Sequence, residues 1–276
     1  MSEAVKRVDV IRITGAVADN ARDHAAVEEP LEVRLDGEPF AVIMRTPGAD
    51  ADLVAGFLLA EGVVRSADDI GTIAYCRDAK ADGRENTIDV RLSGAAIDRR
   101  ADAIATRRQV VTTASCGMCG RRQIDSLRTL APPIAVNGAG VDARVVSSLP
   151  ERLRARQSAF DDSGGLHAAA LFDLAGRIEL SAEDVGRHNA VDKVIGRMLV
   201  RERLPLGDAI LFVSGRTSFE IVQKAVLAGI PIVAAVSAPS SLAIDLAGEF
   251  GVTLLGFVRG DRFNIYSHPS RITSAS

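Results

Sequence analysis

The chain has 276 residues, 47% of them hydrophobic, and its 33 Lys and Arg against 36 Asp and Glu leave a formal net charge of −3. That apolar content excludes a disordered chain, and the near balance of charge excludes a general attraction to nucleic acid or to an anionic membrane. No apolar run reaches the roughly 18 residues of a membrane span, Met1–Asp9 reads as charged rather than as a secretion signal, and the cysteines Cys76, Cys116 and Cys119 are too few for a disulfide-stapled fold, so a cytoplasmic protein with reduced thiols is expected.

In chain order, Leu31–Leu35 and Phe40–Met44 flank Asp36-Gly37, a hairpin signal. Asp50 to Glu61 carries Leu53, Val54, Phe57 and Leu58 at helical spacing, and Gly62 offers a stop. Short strands are expected at Thr72–Cys76, where Cys76 takes a core or half-buried position, and at Thr87–Leu92. Pro132-Pro133 and Asn137–Gly140 interrupt regular structure, which places a boundary near residue 145: an N-terminal α+β domain, 1–145, with the Cys116/Cys119 loop near its end, and an α/β domain, 146–276. A charged helix is expected over Leu149–Phe160, followed by strands at Leu166–Phe172 and Arg177–Leu180 joined by a turn at Asp173–Gly176. Ala209–Val213, Pro231–Val236 and Val252–Val258 are apolar throughout and alternate with helical segments, the pattern of parallel strands covered on both faces. Ligands of such sheets sit beyond the C-terminal strand ends, where Ser214–Ser218, Ser237–Ser241 and Arg259–Asp261 fall.

Cys116-Gly-Met-Cys-Gly120 is a C-x-x-C pair in an open glycine setting. A strand at Val110–Thr113 before it, a helix over Arg121–Leu127 after it, and the charges of Arg121 and Arg122 would bias a thiol there toward thiolate. The spacing also serves metal sites and inert loops, but structural zinc takes about four ligands, so no structural metal is expected. Ser214-Gly-Arg-Thr-Ser218 lies between strand and helix, with Thr217 and Glu220 spaced as a capping box. The helix N-terminus and Arg216 there suit an anion, against the plainer reading of a helix cap with a surface arginine. Glu183-Asp-Val-Gly-Arg-His-Asn189 places His188 and Asn189 in the first turn of a helix, as pocket residues or as a polar helix start. His167 is open between a structural and a functional role. Asn264–His268 either folds over the ligand edge or caps the tail.

These stretches together resemble the formate dehydrogenase accessory sulfurtransferase family, FdhD/NarQ. They are Cys116–Gly120, Gly165-Leu-His-Ala-Ala-Ala170, Glu183–Ala190, Ser214–Glu220 with Gln223-Lys224, Ala235–Ser241, and Phe257-Val-Arg-Gly260 with Asn264-Ile-Tyr266. The resemblance implies a homodimer whose second domain has a cytidine-deaminase-like α/β fold, although the deaminase zinc signature is absent. It implies that Cys116, assisted by Cys119, accepts persulfide sulfur from a cysteine desulfurase. The sulfur then passes to the molybdenum or tungsten bis-pterin guanine dinucleotide cofactor destined for the catalytic subunit of formate dehydrogenase. The cofactor is a bound substrate, with GDP as its partial analogue. Its site is expected at His188, Asn189, Ser214, Gly215, Arg216, Thr217 and Ser218, and at Phe257, Val258, Arg259, Gly260, Asp261, Arg262, Asn264 and Tyr266. A non-catalytic cofactor-binding chaperone and, more remotely, a dithiol oxidoreductase are the alternatives; neither nucleic acid nor a membrane is an expected partner.

Overall fold

The computed structural model describes residues 4–76, 86–101, 127–136 and 140–273; Cys116 and Cys119, the strand expected before them and nearly all of the helix expected after them lie outside those residues. At the N-terminal end, β1 (Val5–Thr14) and β2 (Val17–Ala26) form an antiparallel ribbon. Ile11, Ile13 and Val17 stand in solvent. A ribbon with no buried face has no apolar alternation to maintain, and sequence patterning does not reveal it.

A four-stranded sheet follows, ordered β4-β3-β6-β5 from β3 (Glu29–Leu35), β4 (Glu38–Arg45), β5 (Ile70–Tyr75) and β6 (Thr87–Leu92). Leu31, Val33 and Leu35 alternate inward on β3. Asp36 and Gly37, at φ 50° and 85°, make the expected tight turn to β4. α1 (Asp50–Ala60) matches the predicted helix. Cys76 is half-buried just after β5, its N–H donating to the Thr87 carbonyl at 2.9 Å.

The larger sheet has six strands in the order β13-β12-β11-β10-β8-β9. β10 (Ala209–Val213), β11 (Ile232–Ala235) and β12 (Thr253–Arg259) run parallel, as their apolar character predicts. β8 (His167–Asp173) and β9 (Ile178–Asp184) form the expected hairpin, and β8 lies antiparallel to β10, so the sheet is mixed. β13 (Arg262–Ser267) is an antiparallel edge strand rather than a flap or a cap, because the two-residue connection Gly260-Asp261 is too short for a crossover. A parallel pair, β7 (Val141–Asp142) and β14 (Ile272–Thr273), ties the two ends of this half together.

The helix expected over 149–160 is two helices, α2 (Ala143–Arg154) and α3 (Ser158–Ser163). The break has a tertiary cause: the Glu183 carboxylate, on β9, accepts the N–H groups of Ala159 at 3.1 Å and Phe160 at 2.8 Å and so fixes a new helix start. One apolar cluster, with Ala168, Ala170, Phe172 and Phe212, joins α2 to one sheet face. The other face, with Ala169, Leu171 and Val213, packs on α4 (Arg187–Val200), α5 (Phe219–Leu227) and α6 (Ser241–Glu249), and the same cluster continues through Leu53, Val54 and Leu58 of α1 to β3. Residues on both sides of position 145 therefore share one core. Among the described residues, no helix is long and apolar enough to cross a membrane.

Candidate functional site

The parallel strands β10, β11 and β12, the start of β8 and the N-termini of α4, α5 and α6 all come to one edge of the large sheet. Two loops meet there. The Thr217 N–H donates to the Ala238 carbonyl at 3.2 Å, and its carbonyl accepts the Ser240 N–H at 2.9 Å. These bonds commit Thr217 to the loop before α5, so Ser218 is the N-cap residue and the expected capping box does not form. Glu220 instead faces His188, with Oε2 at 3.4 Å from Nε2. Among the described residues the buried Thr217 hydroxyl has no hydrogen-bond partner.

The expected residues divide in three. His188 joins the Ser214–Ser218 loop through a 2.9 Å bond between its Nε2 and the Ser218 hydroxyl. Ser214 Oγ accepts the Ala168 N–H at 2.8 Å, and Arg216 is exposed. The second group is at β12, where the chain bulges between Gly256 and Arg259. Phe257 takes φ 55° there and is 41% exposed, a strained backbone that holds an aromatic ring in solvent. Its N–H donates to the Ser237 carbonyl at 3.2 Å, and Arg259 Nε donates to the Val236 carbonyl at 3.2 Å. The Ser237–Ser240 loop thus bridges the two expected stretches. Gly260, Asp261 and Arg262 are exposed around the β12–β13 turn, Asn264 Nδ2 donates to the Tyr266 hydroxyl at 3.3 Å, and Val258 points into the core. The third placement is Asn189, whose amide donates at 2.8 Å both to the Met44 carbonyl and to Asp184. It belongs to a clamp in which buried Asp184 pairs with Lys193 at 2.7 Å, and Lys193 also donates to the Thr46 carbonyl at 2.9 Å.

Two further residues complete the edge. His167 opens β8, and Arg187 opens α4 directly before His188. Both contact the space beside Gly215: a Cβ there would lie 3.4 Å from His167 Nδ1 and 3.5 Å from Arg187 Cδ. Arg187 is inside the Glu183–Ala190 stretch, but only the fold shows that it, rather than Asn189, faces this loop. Burial, then the charge of Arg187, lowers the His167 pKa. Burial also lowers that of His188, against the opposing pull of Glu220 and with help from Arg187, Lys224 and His167. Next to this edge, a cavity of about 630 Å³ opens between α2, α3 and the sheet. Phe160, Leu166, Phe212 and Val236 form apolar walls, and Arg154, His167 and Ser214 supply polar groups.

A mixed sheet with helices on both faces, and a cavity with polar loops beside the C-terminal ends of its parallel strands, makes this an α/β protein. The model of the FdhD/NarQ family matches residues 26–273, and the chain belongs to that family. It is 49% identical over 281 aligned residues to the sulfur carrier protein FdhD of Streptomyces avermitilis, covering 99% of this chain and 97% of that one. It is also 49% identical over 255 residues to the sulfur carrier protein FdhD of Mycobacterium tuberculosis, covering 90% and 91% of the two chains. Among solved structures, a candidate formate dehydrogenase accessory protein from Desulfotalea psychrophila superposes with a TM-score of 0.76 at 24% identity, covering 98% of this chain and all of that one. That likeness establishes the shared fold.

Proposed function

We propose that this chain is a sulfur carrier in formate dehydrogenase maturation. It takes persulfide sulfur from a cysteine desulfurase and delivers it to the molybdenum or tungsten bis-pterin guanine dinucleotide cofactor. The observation that carries the reading is the near full-length identity to relatives named sulfur carrier protein FdhD, in a chain that holds the Cys116-Gly-Met-Cys119 pair. The Cys116 thiolate attacks the outer sulfur of the donor persulfide. An S–S bond forms at Cys116 as the donor's S–S bond breaks, and the donor leaves as a thiolate that takes up a proton. The S–S bond at Cys116 then breaks: the terminal sulfur takes two electrons from the reduced metal of the cargo and stays on it as sulfide, Cys116 is released as a thiolate, and Cys119 assists. The cargo's guanosine phosphates lie along Ser214–Ser218 and the Phe257–Arg262 stretch, with formate dehydrogenase as the client.

The hairpin β8–β9 beside three parallel strands, with helices on both faces, supports a cytidine-deaminase-like fold for 146–276. A cytoplasmic homodimer completes the proposal. The decisive experiment is mass spectrometry after incubation with a desulfurase and cysteine. The parent should gain the mass of one sulfur atom, Cys116→Ala should not, and Cys119→Ser should retain the gain. Loading that survives loss of Cys116 would overturn the assignment of the carrier cysteine, and no loading in the parent would favour a cofactor-binding chaperone.

A further inference from the structure

The β1–β2 ribbon has the least support from its own chain. It lies before nearly all of the stretch that the family model matches, residues 26–273. Only its base is anchored: a Cβ on Gly165, just after α3, would lie 3.3 Å from the Ala26 methyl group, and the Val27 N–H donates to the Ala4 carbonyl at 2.9 Å. Every residue from Ile11 to Asn20 is exposed, Ile11 at 71% and Ile13 at 70%. Among the described residues neither strand pairs with a third. A two-stranded ribbon by itself is marginal in water, and a long β-branched edge is a template for another strand. β1 is such an edge. Val5, Val8, Val10, Ile11, Ile13 and Thr14 make up six of its ten residues, whereas β2 has only Val17 of this kind. The charges of the ribbon nearly cancel, Lys6, Arg7, Arg12 and Arg22 against Asp9, Asp19 and Asp23. They also pair across it, Arg22 with Asp9 at 3.7 Å and Arg12 with Asp23 at 3.9 Å. Such a surface does not suit a polyanion or an anionic lipid.

We propose that the free edge of β1 pairs antiparallel with β1 of a second copy of this chain, about a two-fold axis normal to the ribbon, so that two ribbons join into one four-stranded sheet. This gives a surface to the homodimer of the proposed function and rests on that part of it alone. The charge pattern selects the register. A strand paired with itself about such an axis has one residue opposite its own copy, and opposed residues share a face of the sheet. Centred on Arg7, Asp9 or Arg12, the pairing sets like charges against each other, and centred on Val10 or Ile11 it brings no charges together. Centred on Val8, it sets Arg7 against the partner's Asp9 and Asp9 against the partner's Arg7, with Val5 opposite the partner's Ile11. Asp9 then lies between its own Arg22 and a second arginine, and apolar or opposite-charge neighbours stabilise each cross-strand position. Beyond Arg12 the ribbon passes the start of the partner's β1 and runs onto its body, which covers Ile13 and Val17. Two strands of ten residues in each copy approach the roughly 20–30 residues a side of a stable interface.

The test is sedimentation velocity over a dilution series, which gives the dissociation constant for self-association of the full-length parent, of Arg7→Asp and of Asp9→Arg. Thermal midpoints would verify that each variant is folded. In a two-fold interface each substitution sets like charges against each other twice, so each variant alone should self-associate about tenfold or more weakly than the parent. An equimolar mixture of the two variants should recover association close to that of the parent, because in the mixed pair every altered side chain meets its opposite charge. A parent that stays monomeric throughout would overturn the pairing and the homodimer reading together. Self-association unchanged in both variants would overturn the pairing and leave the homodimer to another surface. Weakened variants that do not recover on mixing would overturn the register about Val8. Persulfide loading of the parent, measured separately, reports on the sulfur-carrier reading: if loading fails while the mixed variants still recover association, that reading falls and the pairing stands.

Discussion

Gly196 of α4 rests against the carbonyl oxygen of Asp52 in α1, with no space between them for a methyl group. The contact is reciprocated, because Gly56 of α1 meets the Asp192 carbonyl of α4 in the same way. Two glycines thus let these helices touch backbone to backbone, and Arg197 locks the crossing by pairing with Asp52 at 2.6 Å. Both obstructing atoms are backbone, which cannot swing away. Gly196→Ala should therefore destabilise the protein by about 1–3 kcal/mol despite alanine's better helix propensity of about 1 kcal/mol. Chemical denaturation of the variant measures this. A stabilised Gly196→Ala would mean that the helices separate freely.

One turn from that contact, Lys224 Nζ lies 2.7 Å from Asp192 Oδ1, and both side chains are almost out of solvent. Burial raises the Asp192 pKa from 3.8 to about 6, with Lys224 pulling the other way. The folded state then binds this proton more tightly than the unfolded chain, so the stability from this group is present at low pH and declines as pH rises from about 4 to about 6. Asp192→Asn should remove that slope. Because the fold favours the neutral form of this side chain over its carboxylate, at neutral pH Asp192→Asn should lower stability less than Lys224→Met, which removes the charge that offsets the buried carboxylate; a larger loss in Asp192→Asn would show that the hydrogen bond to Lys224, not the burial of the carboxylate, dominates.

The histidines work in the opposite direction. His188, with its pKa held down chiefly by burial, is neutral in the fold over a range where the unfolded chain is already protonated. Its contribution is complete above the unfolded pKa of about 6.5 and is lost as pH falls through the lower folded value. Denaturation midpoints at about pH 7.5 and about pH 5 should therefore differ less in His188→Gln than in the parent, and the same holds for His167→Gln. An unchanged difference in both variants would place the acid sensitivity elsewhere.

Arg216 is exposed at the loop between β10 and α5. Under the proposed function, Arg216→Ala should weaken GDP binding about tenfold, the value of one charge-assisted contact of about 1.4 kcal/mol, and the loss should shrink as salt is raised. Titration at two ionic strengths checks both. ADP should bind less well than GDP if the edge reads the guanine base. Equal GDP affinity in Arg216→Ala would remove the phosphate role of this residue.

Much of this fold is legible in the sequence where burial is strong and local. The three parallel strands carry long apolar runs because both faces are covered along most of their length, and Asp36-Gly37 marks a hairpin because both positions need positive φ. The converging loops after β10 and β11 follow from that pattern, and so does the placement of Ser214–Ser218 and Ser237–Ser240 at one edge. The exposed β1–β2 ribbon left no pattern to read, and the break between α2 and α3 depends on the distant Glu183. Within one helical turn, Arg187, His188 and Asn189 are equivalent as polar residues at a helix start. Only tertiary packing separates them: Arg187 beside Gly215, His188 against Ser218 and Glu220, and Asn189 turned away to the Met44 carbonyl. Successive residues on a helix point about 100° apart, so which of them meets a ligand edge is decided by how α4 is rotated against α1. That rotation is set by Gly56 and Gly196, whose spacing on their own helices gives no hint that they meet.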